Sequence, residues 1–182
     1  KLPDFIKLAY LPSFGRVRLR LSAKGPEKQV LEDSLNTVLQ ELYLLLSDII
    51  TGHESGVTIE EHIGNLLKDS EKTLCTAESV TGGKIASTLV SVPGSSAYFN
   101  GSIVAYSSEM KQELLHVSAE TIKKYSVVSS NVAKEMAISA LKKTTSDYAI
   151  AVTGNAGPTS DDTSMTVGIV FIAIASAKGV VV

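Results

Sequence analysis

The sequence predicts an α/β protein: a layered α/β/α domain over residues 56–182, preceded by a small α+β unit over residues 1–55. Three observations carry this. From residue 58 onward short apolar strands alternate with helical stretches, the pattern of a sheet covered by helices. Before that, one strictly alternating strand leads to a single long amphipathic stretch, which together make only a small unit. Between the two lies a polar segment, residues 51–56, holding Gly52 and Gly56, the composition of a boundary.

In the first unit, Arg16 to Ser22 reads Arg-Val-Arg-Leu-Arg-Leu-Ser. Such alternation makes a half-buried strand with Val17, Leu19 and Leu21 inward. Residues 6–11 are its expected partner, with Pro12, Ser13, Phe14 and Gly15 as the turn. A helix is expected over residues 26–50, with Pro26 in its first turn. Leu31, Leu35, Val38, Leu42, Leu45 and Ile49 would form its buried stripe. In the second unit, Thr58 and Glu61 have the spacing of a capping box and open a helix. Ile59, Ile63, Leu66 and Leu67 are its expected buried face. Strands are expected over residues 73–77, 101–106, 147–153 and 166–176, with helices over 82–91, 108–116, 119–125 and 131–143. Residues 180–182 read as a return strand.

Composition bounds the function. The 182 residues are 44% hydrophobic and 20% charged, with net charge −2, which is ordinary globular usage. That balance excludes wholesale disorder and a general polyanion binder. Cys75 is the single cysteine, so no internal disulfide forms and a reducing, cytoplasmic location is expected. The apolar run at residues 42–46 is too short for a bilayer. The start, Lys1-Leu2-Pro3-Asp4, has no apolar leader core. The first residue is not Met and the end is strand-like, so the sequence reads as an internal piece of a longer chain.

Three loops that follow strands could carry chemistry. Ala77-Glu78-Ser79-Val80-Thr81-Gly82-Gly83 places two glycines before a helix N-terminus, an arrangement that lets a backbone approach an anion. It equally serves as a helix cap and tight turn. It is not a phosphate-binding P-loop, because Ile85 replaces the magnesium-holding hydroxyl and Glu78 the first glycine. Pro93-Gly94-Ser95-Ser96, followed by Tyr106-Ser107-Ser108-Glu109-Met110-Lys111, offers a hydroxyl and an amine. A lysine can deprotonate a serine when its own amine is neutral, and a first-turn position and burial both favour that state. An exposed helix lysine, turn serines and a core tyrosine would read the same. Thr153-Gly154-Asn155-Ala156-Gly157-Pro158 adds a hydroxyl and bare amides, or is an ordinary glycine loop. His53, His62 and His116 lack metal-ligand spacing, Asp161-Asp162 lacks the calcium-loop pattern, and Cys75 within an apolar strand reads as core.

Taken in order, these segments resemble a known family. Ala77-Glu78-Ser79-x-Thr81-Gly82-Gly83, Val92-Pro93-Gly94-Ser95-Ser96-Ala97-Tyr98-Phe99, Val104-Ala105-Tyr106-Ser107-x-Glu109-x-Lys111 and Ala151-Val152-Thr153-Gly154-x-Ala156-Gly157-Pro158 are similar to the C-terminal domain of CinA, the nicotinamide-nucleotide amidase family. The first unit, through Leu11-Pro12-Ser13-x-Gly15-Arg16-Val17-Arg18-Leu19-Arg20, resembles the KH-type domain that precedes this amidase. The resemblance implies hydrolysis of nicotinamide mononucleotide to nicotinic acid mononucleotide and ammonia, with no metal and no cofactor. It implies Ser96 as nucleophile, Lys111 as general base and Tyr106 as helper, with Ser79 a rival nucleophile. It implies substrate contacts from Ser79, Thr81, Gly82, Gly83, Thr153, Gly154 and Gly157, with glycine-turn amides as the oxyanion hole. It also implies a homodimer and a molybdopterin-binding-like domain before Lys1.

Departures temper this. The arginines are Arg16, Arg18 and Arg20, so the amidase half has none, and the family's phosphate-contacting arginine would follow Val182. Weak or absent turnover is therefore expected of this chain. Val80, Ser108, Asn155 and the loop at residues 159–165 also depart from the family, so substrate preference can differ. Two other classes remain. Seven of the first 28 residues are Lys or Arg, but that segment has no Gly-x-x-Gly clamp for RNA, so nucleic acid is not the expected partner. A non-catalytic dimeric scaffold is the other, and would be indifferent to loss of Ser96.

Overall fold

The computed structural model describes residues 2–13, 16–50, 58–158 and 166–182. The expected turn at Phe14 and Gly15, the boundary at residues 51–56 and the departing loop at 159–165 lie outside the described residues. The chain divides into two compact units, Lys1–Ser55 and Gly56–Val182.

In the first unit β1 (Ile6–Ser13) pairs antiparallel with β2 (Arg16–Ala23), Ile6 opposite Ala23. Helix α1 spans Lys28–Leu45. Pro26 precedes the Glu27 N-cap rather than entering the first turn, and the helix ends five residues before Ile50. The periodicity identified the helix but overstated what it buries. Val38 is enclosed, whereas Leu45 is 78% exposed, Ile49 73% and Val17 60%. Two strands and one helix cannot surround a six-residue stripe, so its far end and Val17 of β2 stay at the surface.

The second unit is a five-stranded mixed sheet of order β4-β3-β5-β6-β7. The strands are β3 (Leu74–Glu78), β4 (Phe99–Val104), β5 (Tyr148–Gly154), β6 (Val170–Ser176) and β7 (Gly179–Val181). β3 runs parallel to both β4 and β5, while β6 runs antiparallel to β5 and β7 antiparallel to β6. The helices are α2 (Ile59–Asp69), α3 (Lys84–Val90), α4 (Ser108–Leu115), α5 (Ala119–Tyr125) and α6 (Ser130–Thr144).

Two apolar clusters show the layers. Leu67, Leu89, Leu74 and Tyr98 join α2 and α3 to one face. Cys75, Ala77, Leu115, Val132, Met136 and their neighbours join α4 and α6 to the other, with Ile122 of α5 packed against them. The second layer is built from small residues on both sides. Ala149, Ala151, Ala173 and Ala175 of the sheet meet Ala133, Ala137 and Ala140 of α6, all buried, which lets helix and sheet backbones approach closely.

Local chemistry fixes the helix starts. Thr58 Oγ1 accepts from Glu61 N–H, and the Glu61 carboxylate accepts from Thr58 N–H at 2.6 Å, the capping box the sequence announced. Ser107, Ser118 and Ser129 cap α4, α5 and α6 through their hydroxyls. The inner face of α2 differs from expectation. Ile59 and Leu66 are exposed, and Gly64 is buried instead. A Cβ on Gly64 would lie 2.7 Å from the Tyr98 hydroxyl, so the ring packs where a side chain would otherwise stand. β4 begins two residues before the expected position, and β6 four residues after.

Candidate active site

Strand parity distributes the polar residues at the C-terminal edge of the sheet. Cys75 and Ala77 face the α4–α6 layer, so Ser79, two residues on, follows them. Leu74 faces the α2–α3 layer, and Thr76 and Glu78 share that side. Ser79 N–H donates to Val152 O at 3.0 Å, which extends the β3–β5 ladder and sets Ser79 beside Thr153. Ala105 N–H donates to Glu78 O at 2.9 Å, which brings Ala105 and Tyr106 to the opposite flank of Ser79. Ser79, Lys111, Thr153 and Asn155 are all buried.

Lys111 lies one turn into α4. It is 2% exposed, and its Nζ donates to the Tyr106 carbonyl at 2.7 Å. Among the described residues it has no carboxylate within salt-bridge distance. Burial pushes its amine down from 10.5 to about 8, against a small upward pull from Glu109. An amine with that affinity is partly neutral near pH 7 and can accept a proton. Tyr106 supports it differently from the expectation. The phenol is 74% exposed, and what reaches Lys111 is the backbone carbonyl.

The glycine turn also behaves differently. Glu78 is fully buried, and its carboxylate accepts from Gly83, Ile85 and Ala86 N–H at 3.0, 3.0 and 2.7 Å. Thr76 donates to it as well. Burial alone would raise this carboxyl, but the Ala86 N–H, the Thr81 hydroxyl and the Ile85 N–H outweigh it and hold it below the usual range. The Thr81 Oγ1 is buried outside hydrogen-bonding geometry to any partner among the described residues, so it acts on Glu78 as a nearby dipole. The anion at the start of α3 is thus the protein's own side chain. The Gly82–Gly83 turn, with Gly83 at φ 95°, shapes a cap; its engaged amides are not free to hold an oxyanion. An acidic residue closing a buried strand shortly before a helix start was the signal for Glu78, and sequence reasoning passed over it.

Ser96 is placed elsewhere. It belongs to a 3₁₀ turn, Ser95–Ala97, that precedes β4, and Leu74 N–H at the start of β3 donates to Tyr98 O. Ser96 therefore lies at the N-terminal edge of the sheet, whereas Lys111 follows its C-terminal edge. The length of β4 separates the two, about 16 Å at a strand's rise per residue. A Ser96–Lys111 pair does not form within one chain, because parallel strands carry the segments before and after β4 to opposite edges.

At the third loop, Thr153 Oγ1 donates to Val127 O at 3.1 Å, so its proton is engaged and its lone pairs remain. A Cβ at Gly154 would meet the Ile169 carbonyl at 2.9 Å, and one at Gly157 the Val167 side chain at 2.5 Å. Both glycines thus serve close packing against the chain leading into β6. Asn155 Oδ1 accepts from Gly157 N–H. Its Nδ2 is buried with no partner. Cys75 is fully buried, and burial raises its thiol, consistent with a core residue. Among the described residues no three His, Cys, Asp or Glu side chains are grouped to hold a metal, and no helix is long and apolar enough to cross a membrane.

Comparison with known proteins adds the family. The CinA C-terminal domain matches residues 57–182. A CinA-like protein of Flavobacterium psychrophilum is 56% identical over 179 residues, 98% of this chain and 43% of that protein. A CinA-like protein of Cytophaga hutchinsonii is 38% identical, over 99% of this chain and 43% of that one. The chain thus spans less than half the length of these curated relatives. Among solved structures, a CinA superfamily protein of Escherichia coli superposes with TM-score 0.67 at 30% identity, over 74% of this chain and 80% of that chain. The competence damage-inducible protein A of Klebsiella pneumoniae gives 0.65 at 32%, over 66% and 75%. The chain belongs to the CinA family.

Proposed function

We propose that the second unit is an amidohydrolase acting on nicotinamide mononucleotide, with Lys111 as general base and Ser79 as nucleophile. The observation that carries this is a buried lysine with one neutral hydrogen-bond partner and an affinity for protons near pH 8. Charged amines are expensive to bury unpaired, and a purely structural lysine would reach solvent or an acid. Ser79 is a hydroxyl at the same sheet edge and on the same face as the amine, and its neighbour Thr153 already gives its proton to Val127 O, which supports Ser79 over Ser96. The substrate class rests on the four motifs shared with the amidase family.

In this reading, Lys111 takes the Ser79 proton as Oγ attacks the carboxamide carbon. The amine then returns that proton to the departing nitrogen, releasing ammonia and leaving an ester on Ser79. Water, deprotonated by the same amine, cleaves the ester to the free acid and restores both groups. The first unit would be the KH-type domain of the longer family architecture, a homodimer is the expected assembly, and the location cytoplasmic.

Ammonia release from millimolar nicotinamide mononucleotide tests this directly. Ser79→Ala and Lys111→Met should each lower turnover by a factor of about 10³ or more, while Ser96→Ala leaves over half. Loss with Ser96→Ala and retention with Ser79→Ala would reassign the nucleophile to Ser96 supplied by a second copy. Absence of any release both by the unsubstituted chain and by a version extended beyond Val182 refutes the activity.

A further inference from the structure

An acyl transfer develops negative charge on the carbonyl oxygen, and the site needs donors for it. The sequence offered the amides of the Gly82–Gly83 turn, but those of Gly83, Ile85 and Ala86 already serve the Glu78 carboxylate. Thr153 gives its proton to Val127 O, and the Thr81 hydroxyl lies beside the Glu78 carboxylate.

Among the described residues three buried side-chain donors lack a partner, Thr81 Oγ1, Tyr98 OH and Asn155 Nδ2; Tyr98 lies at the opposite, N-terminal edge of the sheet and Thr81 faces Glu78, which leaves Asn155. Asn155 is 7% exposed, its Oδ1 accepts from Gly157 N–H at 3.1 Å, and its Nδ2 has no acceptor. A buried amide N–H without a partner is destabilising in the folded chain. Its backbone is fixed: Asn155 N–H donates to Ile169 O, and Asn155 O accepts from Gly168 N–H. The side chain is therefore held at a set position. Parity places Asn155 on the same face as Thr153, and Ser79 lies beside Thr153 across the β3–β5 ladder. One strand spacing and two residue rises separate the Cα atoms of Ser79 and Asn155 by about 8 Å. A carbonyl group attacked by Ser79 Oγ would have to turn its oxygen toward Nδ2 across that distance.

We infer that Asn155 is a further catalytic residue, its Nδ2–H the side-chain donor that stabilises the oxyanion formed on Ser79. Position 155 is the open one in the motif Thr153-Gly154-x-Ala156-Gly157-Pro158, so the family resemblance does not itself supply this donor. The inference rests on the amidohydrolase reading.

Two variants and one spectrum separate the possibilities. Asn155→Asp keeps the acceptor for Gly157 N–H and removes the donor; Asn155→Leu removes both without introducing charge. Both should lower kcat for nicotinamide mononucleotide by at least 30-fold while KM changes less than threefold. A role confined to the turn would instead spare Asn155→Asp. In ¹⁵N–¹H spectra of the full chain, the side-chain amide signal lost in Asn155→Asp should move downfield when nicotinamide mononucleotide is added. If the chain turns over substrate and both variants keep kcat within twofold, the inference fails and the amidohydrolase reading stands. If neither the unsubstituted chain nor a version extended beyond Val182 releases ammonia, that reading fails. The spectrum then decides alone, a downfield shift supporting Asn155 as a carbonyl donor and an unmoved signal overturning it.

Discussion

If Lys111 is the base, activity must follow its neutral fraction. With the amine at about pH 8, roughly 1% is neutral at pH 6, about 9% at pH 7, half at pH 8 and about 90% at pH 9. The logarithm of kcat should therefore climb with a slope near one up to pH 8 and level off above it, a rise of about 90-fold between pH 6 and 9. A lysine at its ordinary 10.5 would still be climbing at pH 10. Stability carries the same signature. The folded chain binds this proton more weakly than the unfolded chain does. Between about pH 8 and 10.5 the unfolded state holds more protons, so stability increases with pH across that window. Below pH 8 the full penalty is present, about 3 kcal/mol for a drop of this size and less where water reaches the amine. Lys111→Met should remove the penalty, raising the melting temperature at pH 7 while abolishing turnover. Ammonia release from pH 6 to 10 and thermal melts of both proteins check this. A flat profile, or a Met variant less stable than its parent at pH 7, would refute the reasoning.

Two further outcomes follow from the packing. Glu78→Gln keeps the shape but leaves three amides with a neutral acceptor, and should cost about 1.5–3 kcal/mol in urea unfolding at pH 7. Because the Glu78 carboxyl is held below its usual range, its stabilisation is present above the unfolded-state value and fades as pH falls through the folded one; the variant should lack that part of the acid sensitivity. Gly64→Ala brings a methyl within 2.7 Å of the buried Tyr98 hydroxyl and should cost about 1–3 kcal/mol, read in the same assay, with the pH profile of turnover unchanged.

What the sequence made legible was local. The Thr58–Glu61 capping box, the α5 boundaries and the core position of Cys75 depend on neighbours within a few residues, and the structure has all three. What it hid was relational. Ser96 and Lys111 are fifteen positions apart in sequence, yet β4 runs between them, and only the parallel pairing with β3 shows that they leave at opposite edges. Ser79, Thr153 and Asn155 share a face only once the β3–β5 register is known. Glu78 looked like a failed phosphate-loop glycine, because its partners are backbone amides that carry no sequence signature. Ile59 and Leu66 matched a buried stripe, but periodicity does not reveal that a tyrosine ring from another segment meets α2 at Gly64.

The account turns on which hydroxyl becomes acylated. Acid-quenching the chain during turnover of nicotinamide mononucleotide at pH 8, followed by peptide mass spectrometry, locates the ester. The account predicts an added acyl group on the peptide containing Ser79, absent in Lys111→Met. The same group on the peptide containing Ser96, with Ser79 unmodified, would contradict it.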